Sequence, residues 1–237
     1  MSTDSRFTVA AILFDIDGTL VDSTAAVNRA WRAWAAEHDI EADEVLAVCH
    51  GRRSADTIAD FLPADQVAVE AEKLEAKETG DVDGVVALPG AAHLLASLPR
   101  SLWAAVTSGS QELMRARLGA AGLPVPESLI AAEDVVEGKP DPQGYRKAAE
   151  ALGVDPLDCL VIEDAPAGLA AGRAAGGRVL AVATSHPRGT LEALGREASA
   201  DAVLDDLTDL VVEVQDGRLA VTVTDSGRTE APRGHVY

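Results

Sequence analysis

Short apolar runs alternate with longer stretches of helical period through most of the chain. The first run, Val9-Ala10-Ala11-Ile12-Leu13, is bounded downstream by Phe14-Asp15-Ile16-Asp17-Gly18-Thr19-Leu20. A continuous apolar run that meets acids and a glycine predicts a strand buried on both faces, ending in a turn. Further strands are predicted at 102–106, 129–131 and 157–162, with the last parallel strand at 178–183. Between them, helical spacing covers 89–98, 110–121 and a segment that Asp141 caps, with Pro142 at its first position, as far as Leu152. Another helix opens at Pro166 and stops at Gly176-Gly177, and one more covers 189–197. Strands alternating with helices predict an α/β fold built on a doubly wound parallel sheet.

Residues 21–83 break that alternation. Asp22-Ser23 offers an N-cap for a helix to about His38, in which Val27, Ala30, Trp31 and Trp34 recur at helical spacing and read as core. Helices are expected at 54–61 and 64–78, and Gly80-Asp81-Val82-Asp83-Gly84 reads as a linker. The chain is therefore divided into an α/β core, 1–20 with 84–237, and an inserted all-helical domain, 21–83. At the other end, Asp216-Gly217 predicts a tight hairpin turn between 210–215 and 218–224. The pairing would match Val214 with Leu219, Val212 with Val221 and Leu210 with Val223, and set all six on one face against the core. Ser226 to Tyr237 has no such pattern and is expected to fray.

Charge narrows the choice of partner. Thirty-nine acids against 20 bases give a net charge of −19, which disfavours nucleic acid and any other polyanion. A small phosphorylated ligand would be repelled as well, unless its pocket carried local cations. No apolar run is long enough to span a membrane, and the N-terminal residues do not read as a signal peptide, so a cytoplasmic protein without membrane partners is expected. The oligomeric state is left open, a monomer being compatible with the sequence. Cys49 and Cys159 have no metal-binding spacing and read as packing residues.

Four segments place polar groups at predicted strand ends or helix starts: Asp15-x-Asp17-Gly18-Thr19, Thr107-Ser108-Gly109, Gly138-Lys139-Pro140 and Glu163-Asp164. In a parallel sheet such ends share one edge, so the groups converge on a crevice. Together they supply what phosphoryl transfer needs. One carboxylate can attack phosphorus, and a second acid can protonate the leaving oxygen and then deprotonate water. Separated carboxylates suit Mg²⁺, while a hydroxyl, backbone N–H groups and a lysine can hold the transferring oxygens.

These segments resemble, in order, the four motifs of the haloacid dehalogenase-like hydrolase superfamily, over about residues 9–205. The resemblance implies a Rossmann-like core with Asp15 as nucleophile and Asp17 as general acid/base. It implies that Thr107, Ser108 and Lys139 bind the phosphoryl group. Mg²⁺ would be held by Asp15, the main-chain carbonyl of Asp17 and Asp164, with Glu163 beside them. The insert would be the family's small helical cap, and Asp22 reads as a helix cap first and a hinge second. Glu163-Asp164-Ala165-Pro166-Ala167-Gly168 and Asp22-Ser23-Thr24 resemble the sugar-phosphate and glycerol-phosphate phosphatases. So does His50-Gly51-Arg52-Arg53-Ser54, where substrate specificity is expected to lie. The substrate would be a small phosphorylated metabolite.

Two alternatives share much of this chemistry. A β-phosphoglucomutase-like phosphomutase would carry a histidine where Val27 stands. A receiver-type phospho-acceptor would be about half this length and take phosphate on a central strand rather than the first. Metal-independent dehalogenases lack the second acid that stands here as Asp17.

Overall fold

The apolar run at 9–13 is not one strand. In the computed structural model, which describes residues 5–224, β1 (Ser5–Val9) and β2 (Ala11–Phe14) belong to different sheets, and Ala10 forms the bend between them. The Ala10 N–H is satisfied by the carbonyl of Asp158 at 2.7 Å. β1 is drawn aside because the C-terminal hairpin offers it an antiparallel partner.

The main sheet has the order β6-β5-β2-β7-β8-β9, with every pair parallel. Its members are β2, β5 (Trp103–Val106), β6 (Leu129–Ile130), β7 (Cys159–Glu163), β8 (Arg178–Val182) and β9 (Ala202–Leu204). The predicted doubly wound α/β core is present. The segment at 178–183 is not the last parallel strand, since β9 lies beyond it; three residues carry too little pattern to stand out. A 3₁₀ turn at Pro156–Asp158 delays β7 to Cys159.

Alternation along β2 divides the core. Ile12 and Phe14 join one apolar cluster with α5 (Ala91–Ser97), α6 (Gln111–Ala120) and the hairpin, while Ala11 and Leu13 join another with α7 (Gln143–Ala151) and α8 (Pro166–Ala175). α9 (Arg188–Glu192) is shorter than expected and closes the second layer through Leu191. Pro142 occupies the cap position of α7 rather than its first turn, and Asp141 accepts the Gln143 N–H at 2.9 Å. Gly176, at φ +99°, ends α8 in a left-handed turn where a side chain would be strained.

The helical segment contains α1 (Thr24–Glu37), α2 (Ala42–Cys49), α3 (Ser54–Ile58) and α4 (Ala64–Gly80). The second was not anticipated; Val45 and Cys49, one turn apart, are its buried residues, with Ala42 and Leu46 packed partly against the same cluster. Trp31, Trp34, Val45, Cys49, Ile58 and Leu74 form a separate apolar cluster. Residues 21–22 are not helical: β3 (Val21–Asp22) pairs antiparallel with β4 (Val86–Ala87) and ties the segment's two ends together. The N-cap position of α1 is Ser23, which makes no side-chain cap bond; Asp22, one residue earlier, accepts the Thr24 N–H at 3.0 Å.

β10 (Leu210–Gln215) and β11 (Arg218–Val223) pair in the expected register around Asp216 and Gly217, both at positive φ. Leu210, Leu219, Val221 and Val223 are buried and Val212 is half-buried, but Val214, nearest the turn, is 48% exposed because the core ends short of it. The tail expected to fray, 226–237, lies outside the described residues.

Candidate active site

Asp15 continues β2 by one ladder bond, its N–H donating to the Ile162 carbonyl of β7 at 3.0 Å. The chain then turns sharply. The N–H groups of Leu20 and Val21 both return to the Ile16 carbonyl, at 2.8 and 3.0 Å, and Gly18 stands at φ +83°. Thr107 follows β5, and Glu163 and Asp164 end β7, so three adjacent strands deliver their groups to one edge. Lys139 reaches the same point from the loop before α7.

The centre is a buried ion cluster. Lys139 Nζ lies 2.5 Å from Asp15 Oδ1, 2.6 Å from Glu163 Oε1 and 3.1 Å from the Val106 carbonyl. Tyr145, which the sequence reading missed, donates its hydroxyl to Glu163 Oε1 at 2.8 Å. Glu163 Oε2 accepts the N–H groups of Asp164 and Ala165 at 3.1 and 3.4 Å. Both Glu163 oxygens are thus committed within the protein.

Burial raises the Asp15 pKa well above the carboxylate range; Lys139 opposes this, while Glu163 and Asp164 add to it. Burial, reinforced by Glu163, pushes Asp164 up to about 8. For Lys139, burial works against the charge, but Asp15 and Glu163 outweigh it and hold the pKa above the lysine range.

Asp15, Glu163 and Asp164 each offer a carboxylate oxygen within 4.8 Å of the others. Three buried carboxylates against one ammonium leave a deficit of positive charge and an all-oxygen donor set. Both suit a hard divalent cation. The turn is shaped to the same end, since a Cβ on Gly18 would stand 2.0 Å from Asp164 Oδ2. Ser185 donates to that oxygen and Thr184 to the Gly18 carbonyl, two contacts from the loop after β8 that carry no sequence signature.

On the other side of Asp15, Thr107 Oγ1 accepts the Gly109 N–H at 3.1 Å, and Ser108 Oγ donates to the Gly51 carbonyl at 3.0 Å. Asp17 Oδ2 accepts from Arg117 Nη1 at 2.6 Å, while Arg117 Nη2 donates to Glu78 Oε1 at 2.8 Å. Sequence reading missed both partners. The available signal was a charged residue on a buried helix face: Arg117 among Leu113, Met114 and Leu118, and Glu78 one turn after Leu74.

Above the carboxylates lies a cleft whose far wall includes Val27, Trp31, His50 and Arg52. Burial, with His186 second, lowers the His50 pKa. Gly51 stands at φ +77°, and a Cβ there would meet Ala165 at 2.7 Å, so this loop is pressed onto the core. Arg52 donates to Asp60 at 2.7 Å and to the Asp56 carbonyl at 2.9 Å. Arg53 does not line this cleft but an adjoining pocket shared with Thr107, Ser108 and Lys139; it donates to Asp56 at 3.0 Å and to the Val136 carbonyl at 3.1 Å, and packs over Gly138. Cys49 and Cys159 are buried, and burial pushes each thiol up to about 12.

A family profile described as haloacid dehalogenase-like hydrolase matches residues 9–176. The chain is 47% identical over 175 residues to hexitol phosphatase A of Escherichia coli (strain K12), covering 72% of this chain and 81% of that protein. It is 37% identical over 191 residues to glycerol-1-phosphate phosphohydrolase 2 of Saccharomyces cerevisiae, covering 75% and 76%. The crystal structure of a hydrolase from Pseudomonas syringae superposes with a TM-score of 0.75 at 27% identity, covering 84% of this chain and 94% of that one.

Proposed function

The chain belongs to the haloacid dehalogenase-like hydrolase family and is a phosphoric monoester hydrolase, and from that premise we propose that it hydrolyses a small sugar or polyol phosphate through an aspartyl-phosphate on Asp15, with Mg²⁺ as cofactor. The observation that carries this reading is the buried cluster of Asp15, Lys139, Glu163 and Asp164 at one sheet edge.

In the first step Asp15 attacks phosphorus, the bond from phosphorus to the sugar oxygen breaks, and Asp17 gives that oxygen a proton. Water then attacks the phosphorus with its proton passing to Asp17, which frees phosphate and restores Asp15. Thr107 and the Ser108 backbone N–H would hold the equatorial oxygens, while Lys139, its three donors already engaged, would neutralise their charge. Asp15, Asp164 and the main-chain carbonyl of Asp17 would hold Mg²⁺, whose charge offsets that of the phosphate and the acids. Glu163, its oxygens already engaged by Lys139, Tyr145 and the backbone, serves this reading better as the anchor of Lys139 than as a ligand.

Residues 21–83 would act as a cap closing over the substrate. Contacts from Gly51, Arg53, Glu75 and Glu78 to the core support this. The sugar or polyol class is supported by the names of the similar phosphatases and by the largely polar cleft that includes Trp31 and His50. His50, Gly51, Arg52 and Arg53 remain the proposed specificity segment. Hydrolysis is favoured over phosphomutase action by Val27, an aliphatic side chain facing the cleft where a mutase would carry histidine. Among the described residues no helix is long and apolar enough to cross a membrane, and a cytoplasmic location is part of the proposal.

Phosphate release across hexose, pentose, polyol and nucleotide monophosphates tests the substrate class. Highest kcat/KM on a polyol or sugar phosphate is expected, and a nucleotide preference would overturn it. Asp15→Asn should lower turnover by roughly a thousandfold or more; wild-type turnover in that variant would overturn the mechanism.

A further inference from the structure

Arg117 lies on the core-facing side of α6 and is 3% exposed. A guanidinium in such a place needs paired partners, and its two terminal nitrogens reach carboxylates from distant parts of the chain. Nη1 meets Asp17 Oδ2 at 2.6 Å, in the turn after β2, and Nη2 meets Glu78 Oε1 at 2.8 Å, in the last turns of α4. Glu78 is itself buried, at 5% exposure. One turn earlier on α4, Glu75 accepts the N–H of Ser110 at the start of α6, at 2.9 Å. The helical insert therefore grips α6 at two points, and one of them leads to Asp17.

Asp17 is held asymmetrically. Arg117 takes Oδ2, while Oδ1 is buried with no hydrogen-bond partner among the described residues. One oxygen is thereby fixed by the guanidinium, and no protein group among the described residues competes for the other.

We infer that Arg117 is a positioning residue for Asp17, and that Glu78 is the contact through which the docked helical insert sets it. This rests on the reading of Asp17 as the general acid/base. With the insert down, two carboxylates hold the planar guanidinium at both ends of its fork, and Asp17 is aimed. With the insert raised, Glu78 departs, Arg117 loses one anchor and Asp17 loses its orientation. Proton transfer is thereby confined to the enclosed site, where bulk water is excluded. The proton balance is unchanged: Asp17 gives its proton to the departing alkoxide oxygen and regains one from the attacking water. Arg117 keeps its protons throughout.

The test compares two esters by kcat/KM, which covers the steps through departure of the first product. Glycerol 1-phosphate loses an alkoxide that needs a proton, whereas 4-nitrophenyl phosphate loses a phenolate that needs far less help. Arg117→Lys keeps the charge and loses the fork. It should reduce kcat/KM on the alkyl ester by a factor roughly ten times larger than on the aryl ester. Glu78→Ala should show the same bias at smaller size. Combining it with Arg117→Lys should add nothing further, since both act through one contact. Equal losses on the two esters, no loss, or additive losses overturn the inference. If Arg117→Lys fails to fold by circular dichroism, the ester bias of Glu78→Ala decides alone. Asp17→Asn separates the two levels of the argument. If it shows the ester bias and the other variants do not, only the Arg117 inference fails. If it shows none, the acid/base reading fails as well.

Discussion

Lys139 Nζ and Asp15 Oδ1 are 2.5 Å apart, with both side chains less than a tenth exposed. The pair is not a surface salt bridge, because the same ammonium also carries Glu163 and the Val106 carbonyl. Removing the lysine leaves three buried carboxylates facing one another. Lys139→Met should therefore destabilise the metal-free protein by on the order of 3 kcal/mol in urea unfolding. It should also lower kcat/KM by roughly a hundredfold or more, because the charge proposed to offset that of the transferring oxygens is gone. Unchanged values for both would remove Lys139 from the centre.

Metal binding should appear as stability. A ligand that binds only the folded protein, at about a hundred times its dissociation constant, adds about 2.7 kcal/mol. Mg²⁺ is expected to raise the unfolding midpoint of the wild type, EDTA to reverse the rise, and Asp164→Asn to lose most of it. Gly18→Ala should lose it too. Its Cβ would fall 2.0 Å from Asp164 Oδ2, and φ +83° is strained for any side chain. A full Mg²⁺ shift in Asp164→Asn would place the ion elsewhere.

Four of the segments that form this centre were legible because each sets a polar group of definite chemistry at the end of an apolar strand or, for Lys139, just before a helix. Asp15, Thr107, Lys139 and Asp164 could be named before any contact was known. Arg117, Glu78 and Tyr145 could not be named, because a charge or hydroxyl within a helical stripe gains meaning only from what packs against it. The division at Ala10 was hidden for a related reason. Val9 and Ala11 are equally apolar, and only the pairing of β1 with β11 assigns them to different sheets. The hairpin, by contrast, was legible to the register, since Asp216-Gly217 fixes both the turn and the pairing.

The two thiols should be inert in the folded protein. With pKa values pushed to about 12, the thiolate fraction at pH 8 is about one in ten thousand. It grows tenfold for each pH unit above that. Iodoacetamide at pH 8 should leave both cysteines unmodified by mass spectrometry until denaturant is added, with activity retained. Rapid labelling of Cys49 in the native protein would mean that the helical segment opens readily at α2.

The adjacent arginines of the cleft loop should have different effects. Arg53 lies outside that cleft and ties the helical segment to the loop before α7 through Val136 and the backbone over Gly138. Arg52 lines the cleft, and its guanidinium is steadied by Asp60 and the Asp56 carbonyl. Arg53→Ala removes this tie whatever the substrate, so on the proposed cap reading its kcat/KM should fall by similar factors on a polyol phosphate and on 4-nitrophenyl phosphate. Arg52→Ala removes a donor that can meet substrate hydroxyls. Its kcat/KM on the best polyol or sugar phosphate should fall by roughly tenfold or more, about 1.4 kcal/mol, with a much smaller loss on the aryl ester. The reverse assignment, with Arg53 selective and Arg52 not, would require the loop to turn over on substrate binding. Equal small effects from both would leave the two arginines a purely structural role and shift specificity to Trp31 and His50, which share the same wall of the cleft.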